Sequence, residues 1–134
     1  MIIGLNFKKL HMEKKRAVDG KVDINNNVSI KDVEESEFSL GKDRQKGITF
    51  LFEFTSKYEP DIGEILFTGE LLYLGEPKTN EDILKGWKKG KNVPKEIMTE
   101  VVNTILTRCN IEALLLSRDV NLPPPVPLPK VKEA

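Results

Sequence analysis

The stretch ITFLFEFTSKYEPDIGEILFTGELLYL, residues 48–74, decides the fold. In its first half Ile48, Phe50, Phe52, Phe54 and Tyr58 share one parity, while Thr49, Leu51, Glu53, Thr55 and Lys57 share the other. Successive side chains of a strand point to opposite faces, so this alternation marks a half-buried antiparallel strand. Pro60-Asp61-Ile62-Gly63 supplies turn chemistry: Pro presets φ, Asp bonds back to its own backbone, and Gly accepts a left-handed position. The chain returns with Ile65, Phe67, Leu71 and Tyr73 on one face, and Gly69 leaves a gap that a neighbouring aromatic or helix fills. The aromatics therefore read as the inner face of a sheet. The other face is mixed, with Leu51, Leu66, Leu72 and Leu74 beside Glu53 and Glu70. A face that apolar is expected to be covered by a loop, a partner subunit or a ligand.

Toward the N-terminus the pattern stays extended. Ile3, Leu5 and Phe7 alternate, then Leu10 and Met12 continue on the other parity, so one extra residue, a bulge, is expected near Lys8–Lys9. Asp19-Gly20 suits the positive φ angles of a two-residue hairpin turn. The return strand carries Val22, Ile24, Val28 and Ile30, interrupted at Asn25-Asn26-Asn27 by a bulge or a turn. Residues 31–47 are mostly polar and read as a strand end and a solvated loop, with an acidic docking patch as the functional alternative.

Beyond residue 74 the signals turn helical. Thr79-Asn80-Glu81-Asp82 opens a short helix with capping side chains and early acids. Its apolar positions are Ile83, Leu84 and Trp87, and Gly86 and Gly90 weaken and end it. Pro94 fits the first turn of a second, longer helix over residues 94–118. There Ile97, Val101 and Ile105 form one stripe and Met98, Val102, Leu106, Cys109 and Ala113 a second, an arc wider than the ~100° of an ordinary surface helix. One side is expected on the Phe-rich sheet and the other in an oligomer interface made by Val101, Val102, Ile105, Leu106 and Cys109. Five prolines between residues 123 and 129 favour an extended polyproline arm, with Leu122, Val126 and Leu128 touching the domain and residues 130–134 mobile. The expected organisation is one domain over residues 1–122 and a Pro-rich tail over 123–134.

Composition removes several function classes. The chain has 134 residues, 21 basic against 21 acidic side chains, and zero net charge. That balance argues against a dedicated nucleic-acid domain, which is strongly basic. A single Cys109 excludes an internal disulfide or a Cys-based zinc cluster, and a single His11 excludes a multi-histidine metal site. Cys109 lies on an apolar helix face and reads as an inert buried thiol, and His11 shows no partner in the sequence. No nucleotide-binding, nucleophile-elbow or zinc-protease motif occurs, so no catalytic residue, cofactor or metal is assigned. No apolar run approaches the ~18 residues of a membrane span, and the free thiol suits a reducing compartment, so a soluble cytoplasmic protein is expected. Lys85, Lys88, Lys89 and Lys91 around Trp87 are the one sequence feature suited to single-stranded nucleic acid. A solvated helix face with the indole tucked onto the core explains the same residues.

The order of parts, a Phe-rich hairpin, a short helix, a long helix opened at Val93-Pro94, then Val120-Asn-Leu-Pro-Pro-Pro-Val-Pro-Leu-Pro129, resembles the SecB-like chaperones. The similarity is to archaeal-type or toxin–antitoxin-type members rather than to the bacterial export chaperone, which is markedly acidic where this chain is neutral. The resemblance implies an α+β fold: a four-stranded antiparallel sheet with the short and long helices packed on one face. It also implies dimers or tetramers that hold unfolded polypeptide on apolar grooves. Docking on the export motor is not carried over. The expected function is accordingly a non-enzymatic, chaperone-like hold on unfolded or extended polypeptide, with Ile83, Leu84, Trp87, Leu72 and Leu74 as the peptide-binding residues. The alternatives are a nucleic-acid module using Lys85–Lys91 and a small-ligand protein with its site in a subunit crevice.

Overall fold

The Phe-rich hairpin becomes the centre of the sheet. In a computed structural model, which describes residues 1–126, the strands are β1 (Ile2–Lys14), β2 (Asp23–Leu40), β3 (Asp43–Glu59) and β4 (Gly63–Tyr73). They form one antiparallel sheet in the order β1-β4-β3-β2, followed by helices α1 (Pro77–Gly90) and α2 (Lys95–Val120). Both helices lie on the sheet's inner face, α1 over β2 and β3 and α2 mainly over β1 and β4. The α+β architecture expected from the sequence is the one observed.

On β3 and β4 the inner-face side chains Ile48, Phe50, Phe52, Phe54, Tyr58, Ile65, Phe67 and Leu71 are buried to 2% exposure or less. Phe54 and Phe67 stack with centroids 5.7 Å apart, and Phe7 meets Phe52 and Phe67 edge-on at 6.1 and 5.9 Å. Edge-on and offset contacts of this kind suit the charge distribution of aromatic rings. The gap at Gly69 is filled as expected: a Cβ there would meet the Asn6 carbonyl and lie 2.8 Å from Phe52.

The bulge expected near Lys8–Lys9 is present, since Phe7 pairs with Gly69 and Lys9 with the adjacent Thr68. It restores Met12 to the inner face, where it packs against the core. A second bulge falls at Lys31, between Ile30 and Asp32, and the Asn25-Asn26-Asn27 run stays in regular register with β3. The hairpin expected at Asp19-Gly20 does not form. Gly20 does take a positive φ of 75°, but β1 pairs with β4 and β2 with β3, so the two strands lie at opposite edges. The physical reason is the central hairpin: β3 and β4 each keep one open edge of unpaired N–H and C=O groups, and β2 and β1 each take one. The polar 31–47 segment is likewise strand, folded at the two-residue turn Gly41-Lys42 with Gly41 at φ 67°. At the β3–β4 turn Asp61, not Gly63, takes the left-handed position, and the Glu59–Pro60 bond is cis. Gly63 is needed for close approach instead: a Cβ there would lie 2.6 Å from the Glu13 carbonyl oxygen and 3.1 Å from Leu122.

α2 buries Val101, Ile105, Cys109, Ala113 and Ser117, one residue in every four along a single stripe. Burying a Val or Ile side chain stabilises by about 1.5–3 kcal/mol, so this stripe clamps the helix to the sheet. It also corrects the expected oligomer interface. Val101, Ile105 and Cys109 are fully buried within their own chain and cannot meet a second subunit, while Val102 and Leu106 are half-buried. The large apolar side chains that α2 turns outward are Ile111 and Leu115, one turn apart and about half exposed.

Candidate polypeptide-binding site

α1 is held differently from α2. Its start lies two residues earlier than expected, with Pro77 in the first turn, and no side chain caps it. Asn80, read from sequence as part of the cap, is buried and ties the helix to the sheet: its Nδ2 donates to the Lys46 carbonyl at 3.2 Å and to the Gly75 carbonyl at 3.3 Å. Gly86 does not end the helix. A Cβ there would run into the Asn92 carbonyl, because the chain turns back sharply once Lys91 takes φ 57°. The Lys91 N–H donates to the Trp87 carbonyl at 2.8 Å and the Asn92 N–H to the Gly86 carbonyl at 2.9 Å. The only buried residues of α1 are Asn80 and Ile83.

Between α1 and the β2–β3 hairpin lies a crevice of about 720 Å³ lined by Glu35, Lys46, Asn80, Leu84, Lys85 and Lys88 among others. Asn80 Oδ1 is buried there without a hydrogen-bond partner. A buried acceptor left unmade costs on the order of 1–3 kcal/mol, which the two bonds donated by Asn80 Nδ2 offset. Trp87 is half-buried beside the crevice, and its indole N–H donates to Asp32 Oδ1 at 3.2 Å.

The five peptide-binding residues expected from sequence do not form one groove. Leu84 lines the crevice and Trp87 sits near it, but Ile83 is fully buried core. Leu72 lies on the outer face of the sheet, opposite Gly4 and Thr49, and Leu74 follows β4, its N–H donating to the Met1 carbonyl at 2.8 Å. The basic cluster is largely engaged. Lys85 bonds Glu81 one helical turn away at 2.6 Å, which lowers the Glu81 carboxyl and raises the Lys85 ammonium, and Lys91 lies 5.9 Å from the Trp87 ring centre.

Other titratable groups add no chemistry. Burial pushes the Cys109 thiol up to about 12, with Arg108 pulling weakly the other way, so it stays protonated at neutral pH. His11 does have partners that the sequence could not reveal. Its Nε2 lies 3.6 Å from Glu13 and 3.7 Å from Glu64, and the three ligand atoms lie within 4.8 Å of one another. Lys9 and Lys57 line the same depression, which opposes a cation there.

Sequence reasoning missed a further set: Asn26, Ser56 and Tyr58. Tyr58 hydroxyl donates to the Pro123 carbonyl at 2.7 Å, Asn26 Nδ2 to the Pro125 carbonyl at 2.9 Å, and Ser56 Oγ to Asn26 Oδ1 at 2.6 Å. Burial pushes the Tyr58 hydroxyl up to about 12. Leu122 is 5% exposed and belongs to the core as expected, and Val126 is half-buried. Leu128 and residues 130–134 lie outside the described residues. A Phe-rich strand advertises its apolar parity, and the polar tips at Ser56 and Tyr58 do not disturb that pattern.

The sheet order and the position of both helices are those of the SecB-like fold. Over its full length the chain matches the Mycobacterium tuberculosis SecB-like chaperone Rv1957, solved in complex with a ChAD peptide from the Rv1956 HigA1 antitoxin. The TM-score is 0.53 at 11% sequence identity, covering 91% of that chain. No family model matches the sequence, and no curated protein matches it. Among the described residues no helix is long and apolar enough to cross a membrane.

Proposed function

We propose that this protein is a non-enzymatic, cytoplasmic, chaperone-like binder that holds unfolded or extended polypeptide in the crevice beneath α1. The observation that carries the reading is the crevice itself, lined by Leu84 together with Glu35, Lys46, Asn80, Lys85 and Lys88. An extended client supplies apolar side chains for Leu84 and polar main chain for the charged and amide groups around it. α1, anchored by few buried residues, is the element able to shift as a lip. The fold agrees, since the M. tuberculosis protein that shares it was solved with a peptide bound. The engaged lysines and the zero net charge leave less support for nucleic acid. A dimer or tetramer belongs to the same proposal. Its interface is redrawn through the outward face of α2, at Ile111 and Leu115.

The test is suppression of aggregation of a chemically unfolded client, followed by light scattering. The wild-type chain suppresses it. Leu84→Asp loses most of that effect while keeping its far-ultraviolet spectrum. Wild-type protein that leaves the scattering unchanged would overturn the reading.

A further inference from the structure

We propose that residues 121–126 occupy, within their own chain, a second site for extended polypeptide, so that the arm is a resident ligand which a client displaces. The inference rests on the polypeptide-holding function above. It is carried by how the arm is bound. Both hydrogen bonds from the sheet go to main-chain carbonyls, of Pro123 and Pro125, and none goes to a side chain. Carbonyl acceptors are common to every polypeptide, so the donors, Tyr58 hydroxyl and Asn26 amide, select conformation rather than sequence.

The spacing fits that role. Alternate residues of a strand lie about 6.6–6.8 Å apart. Alternate residues of a polyproline helix rise about 6.2 Å, nearly the same repeat. Tyr58 takes one carbonyl, and Asn26, which pairs across the sheet with Ser56 two residues along β3, takes the next but one. Ser56 donates to Asn26 Oδ1 and so holds the amide with its Nδ2 toward the arm. These polar groups interrupt an otherwise Phe-lined face; with the arm lifted away, the Tyr58 and Asn26 donors are free to take the carbonyls of another extended segment. The side-chain requirement is one apolar anchor just before the first bound carbonyl, met here by Leu122 against Gly63. The partner is thus an extended segment of the form apolar–Pro–x–Pro. Beyond Asn26 the same edge strand carries half-buried Val28 and Ile30 and reaches Asp32, which holds Trp87. The arm site and the α1 crevice lie along one track.

The first experiment uses a chain ending at Val120 and a fluorescent peptide of residues 121–130, NLPPPVPLPK, which carries the Leu122 anchor. The shortened chain should bind the peptide at least ten-fold more tightly than the full chain does, and Tyr58→Phe in the shortened chain should weaken binding several-fold. Equal binding by both chains, or no binding by a shortened chain with a native far-ultraviolet spectrum, would overturn the proposal. If the shortened chain does not fold, the full chain carrying Asn26→Cys and Pro125→Cys decides it. Oxidation should cut its suppression of client aggregation at least five-fold, with recovery on reduction. An oxidised protein as active as the reduced one overturns the proposal. A reduced protein with no suppression at all overturns the holding function instead, and with it the claim that a client displaces the arm.

Discussion

α2 and the 121–126 arm cover the same face of one sheet by opposite means. α2 inserts Val101, Ile105, Cys109 and Ala113 into the Phe layer, side chain against side chain. That contact reads sequence: each position has a volume to fill, and the interior is packed too densely to forgive a change. The arm, by contrast, is gripped at two main-chain carbonyls with one apolar anchor. That contact reads backbone shape and tolerates many sequences. The difference separates what specifies the fold from what suits a transient occupant.

The comparison predicts its largest effect at α2. Ile105→Ala should destabilise by about 2–5 kcal/mol, the range for large-to-small changes in a sealed core, measured as a shift of the urea midpoint. A loss below about 1 kcal/mol would mean that α2 is not the clamp.

Next comes alkaline pH. Tyr58 is raised to about 12 in the folded chain from an ordinary value of 10, and Cys109 to about 12 from 9. The folded state keeps both protons where the unfolded state releases them. Their stabilisation is therefore complete below pH 9 and is lost as pH climbs to about 12. For Tyr58 two pH units correspond to about 2–3 kcal/mol. Urea unfolding at pH 8 and pH 11 should show the decline, and Tyr58→Phe should remove part of it while leaving the share of Cys109.

At pH 7 the same Tyr58→Phe change should cost only about 0.5–1.5 kcal/mol, the net value of one hydrogen bond. Its mark should instead be faster amide exchange at Leu122 and Val126, with α2 amides unchanged. Equal loosening of both regions would erase the distinction drawn here. The smallest effect concerns α1. Glu81, lowered by Lys85, contributes stability above its ordinary carboxylate range that disappears as pH falls through its folded value. Because the pair is exposed, Glu81→Gln should shift the urea midpoint at pH 7 barely measurably and should remove what acid dependence the pair supplies.

Much of the fold was legible because parity is a strong signal. The alternation at 48–58 and the parity change at Lys8 reached the structure unchanged, and the long helix begins one residue later than expected, with Pro94 as its N-cap rather than in its first turn, and ends at Val120. Pairing was not legible. Asp19-Gly20 carries hairpin chemistry, but a turn is local, and partner choice depended on β3 and β4 each needing a neighbour. The inward face of α2 is hidden for a similar reason. The stripes Ile97, Val101, Ile105 and Met98, Val102, Leu106, Cys109, Ala113 look equivalent in sequence, and only the sheet beneath decides that the buried line runs through Val101 and Ile105 of the first and Cys109 and Ala113 of the second. Of the site, Leu84 and Trp87 were found from their helical spacing. Asn80 was visible only as a helix cap, and Asn26 and Tyr58 were hidden because their roles lie between segments distant in sequence.

The claim that this chain holds non-native polypeptide is tested most directly by its own indole. Trp87 is the only Trp, half-buried beside the crevice on the weakly anchored helix. Titrating the protein with an unfolded, Trp-free polypeptide should shift the position or intensity of its emission and saturate at a defined stoichiometry, with the same polypeptide in its folded state giving no change. Emission that stays constant through saturating unfolded client would contradict the account.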